Sequence, residues 1–307
     1  MGHVNTLLGL FLMLIIGYGA KKTNLIKEEH SKILNTVIIN ITLPAFVISH
    51  LMGRELNREM FITPCVVYSV CLVTVFLSIL ICRMLKFSPE LTFALTLTAS
   101  FANTGFLGYP ITEALFRNTP GAVPTAVLVD QLGMQFLLYV SAPIIAGFLI
   151  VKKGEKRFSL SNVFDIFRSP VMIACILGIV FHKFTLPDFI QQTCGHLSGA
   201  TVPLIMISIG LKIHPSETPK YVFPALIVII LKLLLQPVLM HWGMAMAVSE
   251  KYIIDVATIQ MGLSPAMVTS ILTDRHGGDT NFACAAIFIC TMLTIITVPF
   301  TANILGI

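Results

Sequence analysis

The sequence predicts an all-α integral membrane protein, with ten transmembrane helices in a 5+5 inverted repeat and two broken, crossing helices at spans 4 and 9. Three observations lead there. Only 11% of the 307 residues are charged, 56% are hydrophobic, and the mean hydropathy is +0.88; a soluble domain carries about 25% charged residues. Apolar runs of about 20 residues, the length a helix needs to cross a bilayer, recur along the chain, without the strict alternation of a barrel strand. Prolines and helix-breaking clusters also repeat at a nearly constant offset between the two halves.

The spans run 4–20, 31–52, 61–83, 89–116 and 122–150, then 167–183, 192–212, 219–247, 252–273 and 279–304. Span 1, Leu7 to Ala20, follows a leader, MGHVN, without Lys or Arg, and no small-residue cleavage site precedes Lys21-Lys22. It is expected to be a retained helix, not a signal peptide. Gly2 and Thr6 match a myristoylation pattern, read as coincidence in a chain already held by many spans. Span 2 carries Asn40, Thr42 and Pro44. Asn40 either faces a cavity or makes an interhelical hydrogen bond of about 0.6 kcal/mol. Span 4 reads LTFALTLTASFANTGFLGYPITEALF, ending with Glu113 and Arg117 at i,i+4 spacing, expected as an ion pair. Span 5 holds Asp130, Gln131 and Gln135, and span 7 holds Pro203. Span 8 holds Lys232 and Gln236-Pro237, and span 9 reads VATIQMGLSPAMVTSIL.

Lys and Arg set the orientation. With the odd-to-even loops on one side, that side collects fourteen of the twenty Lys and Arg residues, the other side five, and Lys232 lies mid-span. The basic excess marks the cytoplasmic side. Both termini are then expected on the non-cytoplasmic side of the cell membrane. Residues 152–168, KKGEKRFSLSNVFDIFR, form a cytoplasmic linker between a first repeat (1–151) and a second (169–307).

The halves align. Pro44 answers Pro203 at an offset of 159, Pro64 answers Pro224 at 160, the break near Gly105 answers Pro265 at 160, and Pro143 answers Pro299 at 156. ITLPAFVIS (41–49) also matches ATVPLIMIS (200–208). Five spans per copy is an odd number, so the second copy enters the membrane inverted, as in many transporters.

In spans 4 and 9 the break is expected to make the site. Pro110 removes a donor and clashes with the Phe106 carbonyl, Gly105 and Gly108 ease departure from helical dihedrals, and Asn103 and Thr104 can cap exposed backbone. Gly262, Ser264 and Pro265 do the same in span 9. An unsatisfied backbone group in lipid costs several kcal/mol, so two such breaks persist only against protein or a watered cavity. The freed N–H groups at a half-helix start suit an anion such as a carboxylate. The candidate substrate-binding residues are Asn103, Thr104, Gly105, Gly262, Leu263, Ser264, Pro265 and Asn40. Gly108, Pro110, Pro44 and Pro203 are the candidate helix breaks. Asp130 and Lys232 are candidates for charge coupling, because ionisable groups inside spans are costly. Asp130 stands near enough to the outer interface for a solvated position as well. Lys232 either pairs with a substrate carboxylate or Asp130, or snorkels and braces the bundle.

Other classes fit poorly. The seven cysteines show no C-x-x-C pair and the eight histidines no H-E-x-x-H, so no metal or other cofactor is expected. The net charge of +5 reports membrane orientation, not nucleic acid. An intramembrane enzyme would need a motif around Asp130 and Asp255 or a G-x-S-x-G setting for Ser264, and neither is present. The expected partners are a small organic anion, the bilayer and, as an open question, a second copy in a homodimer. The coupling ion, H+ or Na+, is open, and so is a passive channel.

The residues resemble the auxin efflux carrier family, the bacterial relatives of plant PIN proteins. The matching text is NITLPAFVISHL in span 2, SFANTGFLGYPI in span 4 and QMGLSPAMVTSIL in span 9, where Ser264-Pro265 replaces the Pro-first order common in relatives. The resemblance implies an elevator: a transport domain of spans 3–5 and 8–10 moving against a scaffold of spans 1, 2, 6 and 7. It implies anionic substrates, auxin-like acids or malate- and malonate-like carboxylates, with Asn103 at the crossover. The short central loop favours a bacterial-type carboxylate permease. A sodium-coupled carrier of the bile-acid type is the alternative.

Overall fold

The computed structural model describes residues 2–150, 167–212 and 221–306, so the expected linker lies outside the described residues except for Phe167 and Arg168. The helices are α1 (Gly2–Lys22), α2 (Glu28–Leu51), α3 (Arg58–Met84), α5 (Ala122–Leu149), α6 (Pro170–Val180), α7 (Asp188–Leu211), α8 (Val222–Ala247) and α10 (Thr280–Leu305). Between them lie two interrupted helices. In α4, Pro89–Ser100 is followed by an extended segment, a wide π turn over Thr104–Gly108 and a second half-helix, Tyr109–Leu115. In α9, Lys251–Met261 is followed by an irregular segment and a second half-helix, Val268–Arg275. The described residues contain no strand. Six helices, α2, α3, α5, α7, α8 and α10, are long and apolar enough to cross a membrane. Their outward faces carry Phe76, Phe148, Met246 and Ile296, each at least 66% exposed. Such a surface would be an aggregation hazard in water and is the expected face toward lipid.

Local chemistry starts the helices. Ser88 Oγ accepts the Leu91 N–H (3.2 Å) ahead of Pro89, and Asp279 Oδ1 accepts the Phe282 N–H (2.9 Å) at the start of α10. These side chains satisfy donors that the first turn leaves free. Three further π turns lie inside continuous helices: Ile38–Thr42 in α2, Leu128–Gln135 in α5 and Ile229–Leu235 in α8. They contain Asn40, Asp130 and Lys232. Such turns are often found at functional positions.

The helices pack in two groups. α1, α2, α6 and α7 hold one another; α3, α4, α5, α8, α9 and α10 form the other. In lipid, apolar burial gives little driving force between helices, and close backbone approach and interhelical hydrogen bonds take over. The α1–α7 contact depends on this. A Cβ on Gly17 would lie 2.4 Å from the Ile207 carbonyl oxygen, and one on Gly210 would lie 2.2 Å from the Leu14 oxygen. Thr201 Oγ1 donates to the Thr42 carbonyl (3.0 Å) and Ser208 Oγ to Asn35 Oδ1 (2.6 Å), tying α7 to α2.

The structure places the breaks differently from the prolines. α7 runs on through Pro203, and Pro44 stands in the first turn after the π turn of α2, so neither interrupts its helix. In α4 the helix opens at Phe101, where φ is −116° and ψ is 120°. Gly108 and Pro110 come after the break, and Pro110 lies in the first turn of the second half-helix, where a missing N–H costs nothing.

Candidate functional site

The two breaks meet. The Asn103 N–H donates to the Ser264 carbonyl (2.8 Å), and the Ala266 N–H donates to the Phe101 carbonyl (2.9 Å). Ala102 and Pro265 thereby form an isolated antiparallel bridge. The Ala102 N–H is turned to Met134 Sδ at 3.3 Å. Each break supplies backbone partners that the other lacks, which is how extended chain persists away from water.

The carbonyls that end the first half-helices are also covered. Gln236 Nε2 donates to the Ser100 carbonyl (2.8 Å) and to Thr74 Oγ1 (2.9 Å). Lys232 Nζ donates to the Met261 carbonyl (2.7 Å) and to Gln236 Oε1. A cation at a helix C-terminus complements the dipole. Lys232 and Gln236 are fully buried, so the ammonium reaches neither interface and does not snorkel.

At the other end of the break a carboxylate is built in. Asp130, 1% exposed, accepts from Thr104 Oγ1 (2.5 Å), Tyr109 Oη (2.6 Å) and Gln131 Nε2 (2.7 Å). Gly105 permits the approach, since a Cβ there would stand 3.2 Å from Asp130 Oδ2. Asp130 is therefore not at the solvated end of its helix. It lies against the start of the second half-helix of α4, where Thr104, Gly105 and Phe106 have no carbonyl one turn back to receive their N–H groups. It makes no ion pair among the described residues. Asp255, its formal partner in a protease reading, pairs instead with Lys251 at 2.5 Å.

Three polar atoms around this arrangement are buried without a hydrogen-bond partner: Asn103 Nδ2, Ser100 Oγ and Gln260 Oε1. Such groups are few in native proteins. Ser264 is engaged, accepting from Thr291 Oγ1 of α10 at 3.1 Å. Leu263 is fully buried in the apolar core, and Gly262 packs beside Pro237. Asn40 is hydrogen-bonded to neither break. Its side chain is exposed and donates to the Thr36 carbonyl one turn back (2.8 Å).

Sequence reasoning passed over Tyr109, Thr112 and Gln260. Gln260 Nε2 donates to Thr112 Oγ1 (2.9 Å), joining the first half of α9 to the second half of α4. Gly108 fits under Gln260, where a Cβ would come within 2.0 Å of Oε1. The only signal was a polar residue in an apolar run, which many spans share.

A cleft of about 790 Å³ opens beside α4, between α1, α2 and α7 on one side and the second half-helix of α4 and the start of α5 on the other. Its polar lining is His50, Arg54, Glu113, Arg117, Asn118 and Thr119. Glu113 and Arg117 do not form the expected ion pair; both face the cleft. Pro110 is in the wall, and its neighbour Tyr109 stacks on Phe46 of α2 with ring centroids 5.4 Å apart.

A family model described as membrane transport protein matches residues 3–302. An uncharacterized transporter of Methanothermobacter thermautotrophicus is 28% identical over 313 residues, covering 99% of each chain. The uncharacterized transporter MJ1031 of Methanocaldococcus jannaschii is 29% identical, covering 98% of each. The lysosomal cholesterol signaling protein of mouse is 23% identical over an alignment of 256 positions that covers 76% of this chain and 29% of that one.

Proposed function

The chain belongs to the membrane transport protein family, that of the auxin efflux carriers, and from that premise we propose that it is a secondary transporter of a small organic anion, working by elevator-type alternating access. One observation carries the reading. Asn103 stands at the paired breaks, 4% exposed, with its Nδ2 donor unused, beside the N–H groups of Thr104 and Gly105, which have no backbone acceptor among the described residues. Unused donors at a half-helix start are what a carboxylate recognises. The cleft, where Arg54 and Arg117 outnumber Glu113, then gathers anions at the wall formed by Pro110 of the same half-helix.

Asp130 already holds one side of the half-helix start. A second negative charge there is repelled while Asp130 is ionised and accepted when it is protonated. Anion and proton therefore bind together, and the carrier is a proton–anion symporter. Lys232 argues against sodium coupling. Its ammonium sits on the Met261 carbonyl, and unwound carbonyls of this kind are where sodium binds in related architectures. The packing of α1, α2, α6 and α7 as one group and the remaining helices as another supports a scaffold and a transport domain, with the cleft between them. All ten helices then traverse the membrane as an inverted 5+5 pair. The Lys and Arg distribution puts the cleft on the non-cytoplasmic side.

The test is uptake of labelled malate, malonate and indole-acetate by reconstituted vesicles. One of these acids is expected to show saturable, counter-anion-stimulated transport, reduced at least tenfold by Asn103→Ala in a protein that still elutes as a folded species. Normal transport by a folded Asn103→Ala protein refutes the role given to Asn103. Dependence on Na+ instead of acid pH moves the reading to the sodium-coupled alternative.

A further inference from the structure

A second concavity lies away from the crossover, on the outer face of the second helix group. It is a groove of about 460 Å³ between α3 and α5. Its walls are apolar, from Leu72, Val75 and Ile79 on α3 and from Leu137, Ile144 and Phe148 on α5. Two polar residues line it, Ser141 partway along and Arg83 at the end of α3. Leu72 and Phe148 are 55% and 80% exposed, so the groove is open to the surroundings of the helix group. Its floor is different. Phe101 is fully buried and is the residue at which α4 breaks.

The dimensions and the charge point to one occupant. Leu72 and Arg83 are eleven residues apart on α3, which at the helical rise is about 16 Å. One leaflet's share of a hydrocarbon core of about 30 Å is nearly the same depth. The apolar part of the groove therefore runs from mid-bilayer to one interface, and Arg83 reaches that interface on the side rich in Lys and Arg. Arg83 is exposed and makes no ion pair among the described residues. A guanidinium suits a phosphate group, and Lys86 follows on the same side. We infer that the groove is a binding site for an anionic phospholipid of the cytoplasmic leaflet, with one acyl chain between α3 and α5 and the headgroup phosphate on Arg83. The end of the chain then rests on Phe101, whose carbonyl receives the Ala266 N–H. A bound lipid thereby supports the pairing of the two breaks from behind.

The experiment uses the full chain, purified and delipidated in detergent, with phosphatidylglycerol or phosphatidylcholine of identical acyl chains added back. Retained lipid is counted by native mass spectrometry and stability is followed by thermal unfolding. One basic residue near an anionic surface gives roughly a fivefold preference for the anionic lipid. Wild type is expected to retain phosphatidylglycerol with about that preference and to melt higher in it. Arg83→Gln is expected to bind both lipids alike, and Ser141→Trp, which fills the groove, to retain neither, with the oligomeric state unchanged. Equal retention of the two lipids by wild type overturns the inference, as does a preference that survives both substitutions. Stabilisation by inorganic phosphate alone would mean an anion site without an acyl chain. A change of oligomeric state in Ser141→Trp would mean that a second copy occupies the groove. Either result also overturns it.

Discussion

Replacing Asp130 by Asn removes the charge at the half-helix start and keeps the shape. Asp130 Oδ2 accepts from both Tyr109 and Gln131, and Oδ1 accepts from Thr104. In the variant the amide oxygen takes the place of Oδ2, and the Thr104 hydroxyl turns to accept from the amide nitrogen. All three contacts survive as neutral hydrogen bonds, so the stability loss is about 1 kcal/mol. Asp130→Leu leaves three buried donors without partners, at about 1–3 kcal/mol each, and is expected to fold poorly. Transport responds differently. An anion over the Gly105 N–H would stand about 4 Å from the carboxylate, where two like charges repel by about 4 kcal/mol at an effective dielectric constant near 20. That is a factor of roughly a thousand in anion affinity between ionised and protonated Asp130. Wild-type uptake is therefore expected to rise as pH falls. Asp130→Asn is expected to exchange anions at a rate independent of pH and to lose accumulation against a gradient. The assay is initial uptake into vesicles across a pH series, with and without a pH gradient. A folded Asp130→Asn protein with the pH profile of wild type refutes the coupling role.

Other expectations follow from single contacts. Gly108→Ala places a methyl group 2.0 Å from Gln260 Oε1, and overpacking of this kind costs about 1–3 kcal/mol. The double variant Gly108→Ala with Gln260→Ala should regain much of the loss, and additive melting shifts would show that the two residues are not in contact. Lys232→Met fills the space but leaves the Met261 carbonyl and Gln236 Oε1 without their donor. A lower melting temperature with no gain of Na+ response is expected, and an unchanged melting temperature counts against the cap. Gly210→Val drives a side chain toward the Leu14 oxygen and is expected to separate α1 from α7, read as increased proteolysis of the first helix.

Much of this was legible in composition and spacing. The apolar runs located the helices to within a few residues, because a bilayer fixes the length that a run must have. The matched clusters 160 residues apart foretold that Asn103 and Ser264 belong together, and they are hydrogen-bonded neighbours. The point of breakage was not legible. Proline draws the eye to Pro110, yet proline is at ease in a first helical turn, and the chain opens at Phe101, nine residues earlier. For Asn40 a cavity face and an interhelical hydrogen bond read alike in apolar text; only helix rotation tells that it is exposed and bonded to Thr36 of its own helix. The π turns around Asn40, Asp130 and Lys232 have no sequence signature at all. They shift the register of one helix face, and with it the partners that Asp130 and Lys232 meet on α4, α8 and α9. Glu113 and Arg117 have the right spacing for a pair, but a cleft on that face gives each of them solvent in place of the other.

Anion binding at the paired breaks is the central step, and ligand-dependent thermal stabilisation measures it most directly, since a ligand that binds the folded state raises its stability. Purified wild-type protein and Asn103→Ala are melted in the presence of a panel of small carboxylates at acid pH. At least one carboxylate is expected to raise the wild-type melting temperature in a saturable way and to leave that of Asn103→Ala unchanged. A panel that shifts neither protein, or shifts both equally, contradicts the account.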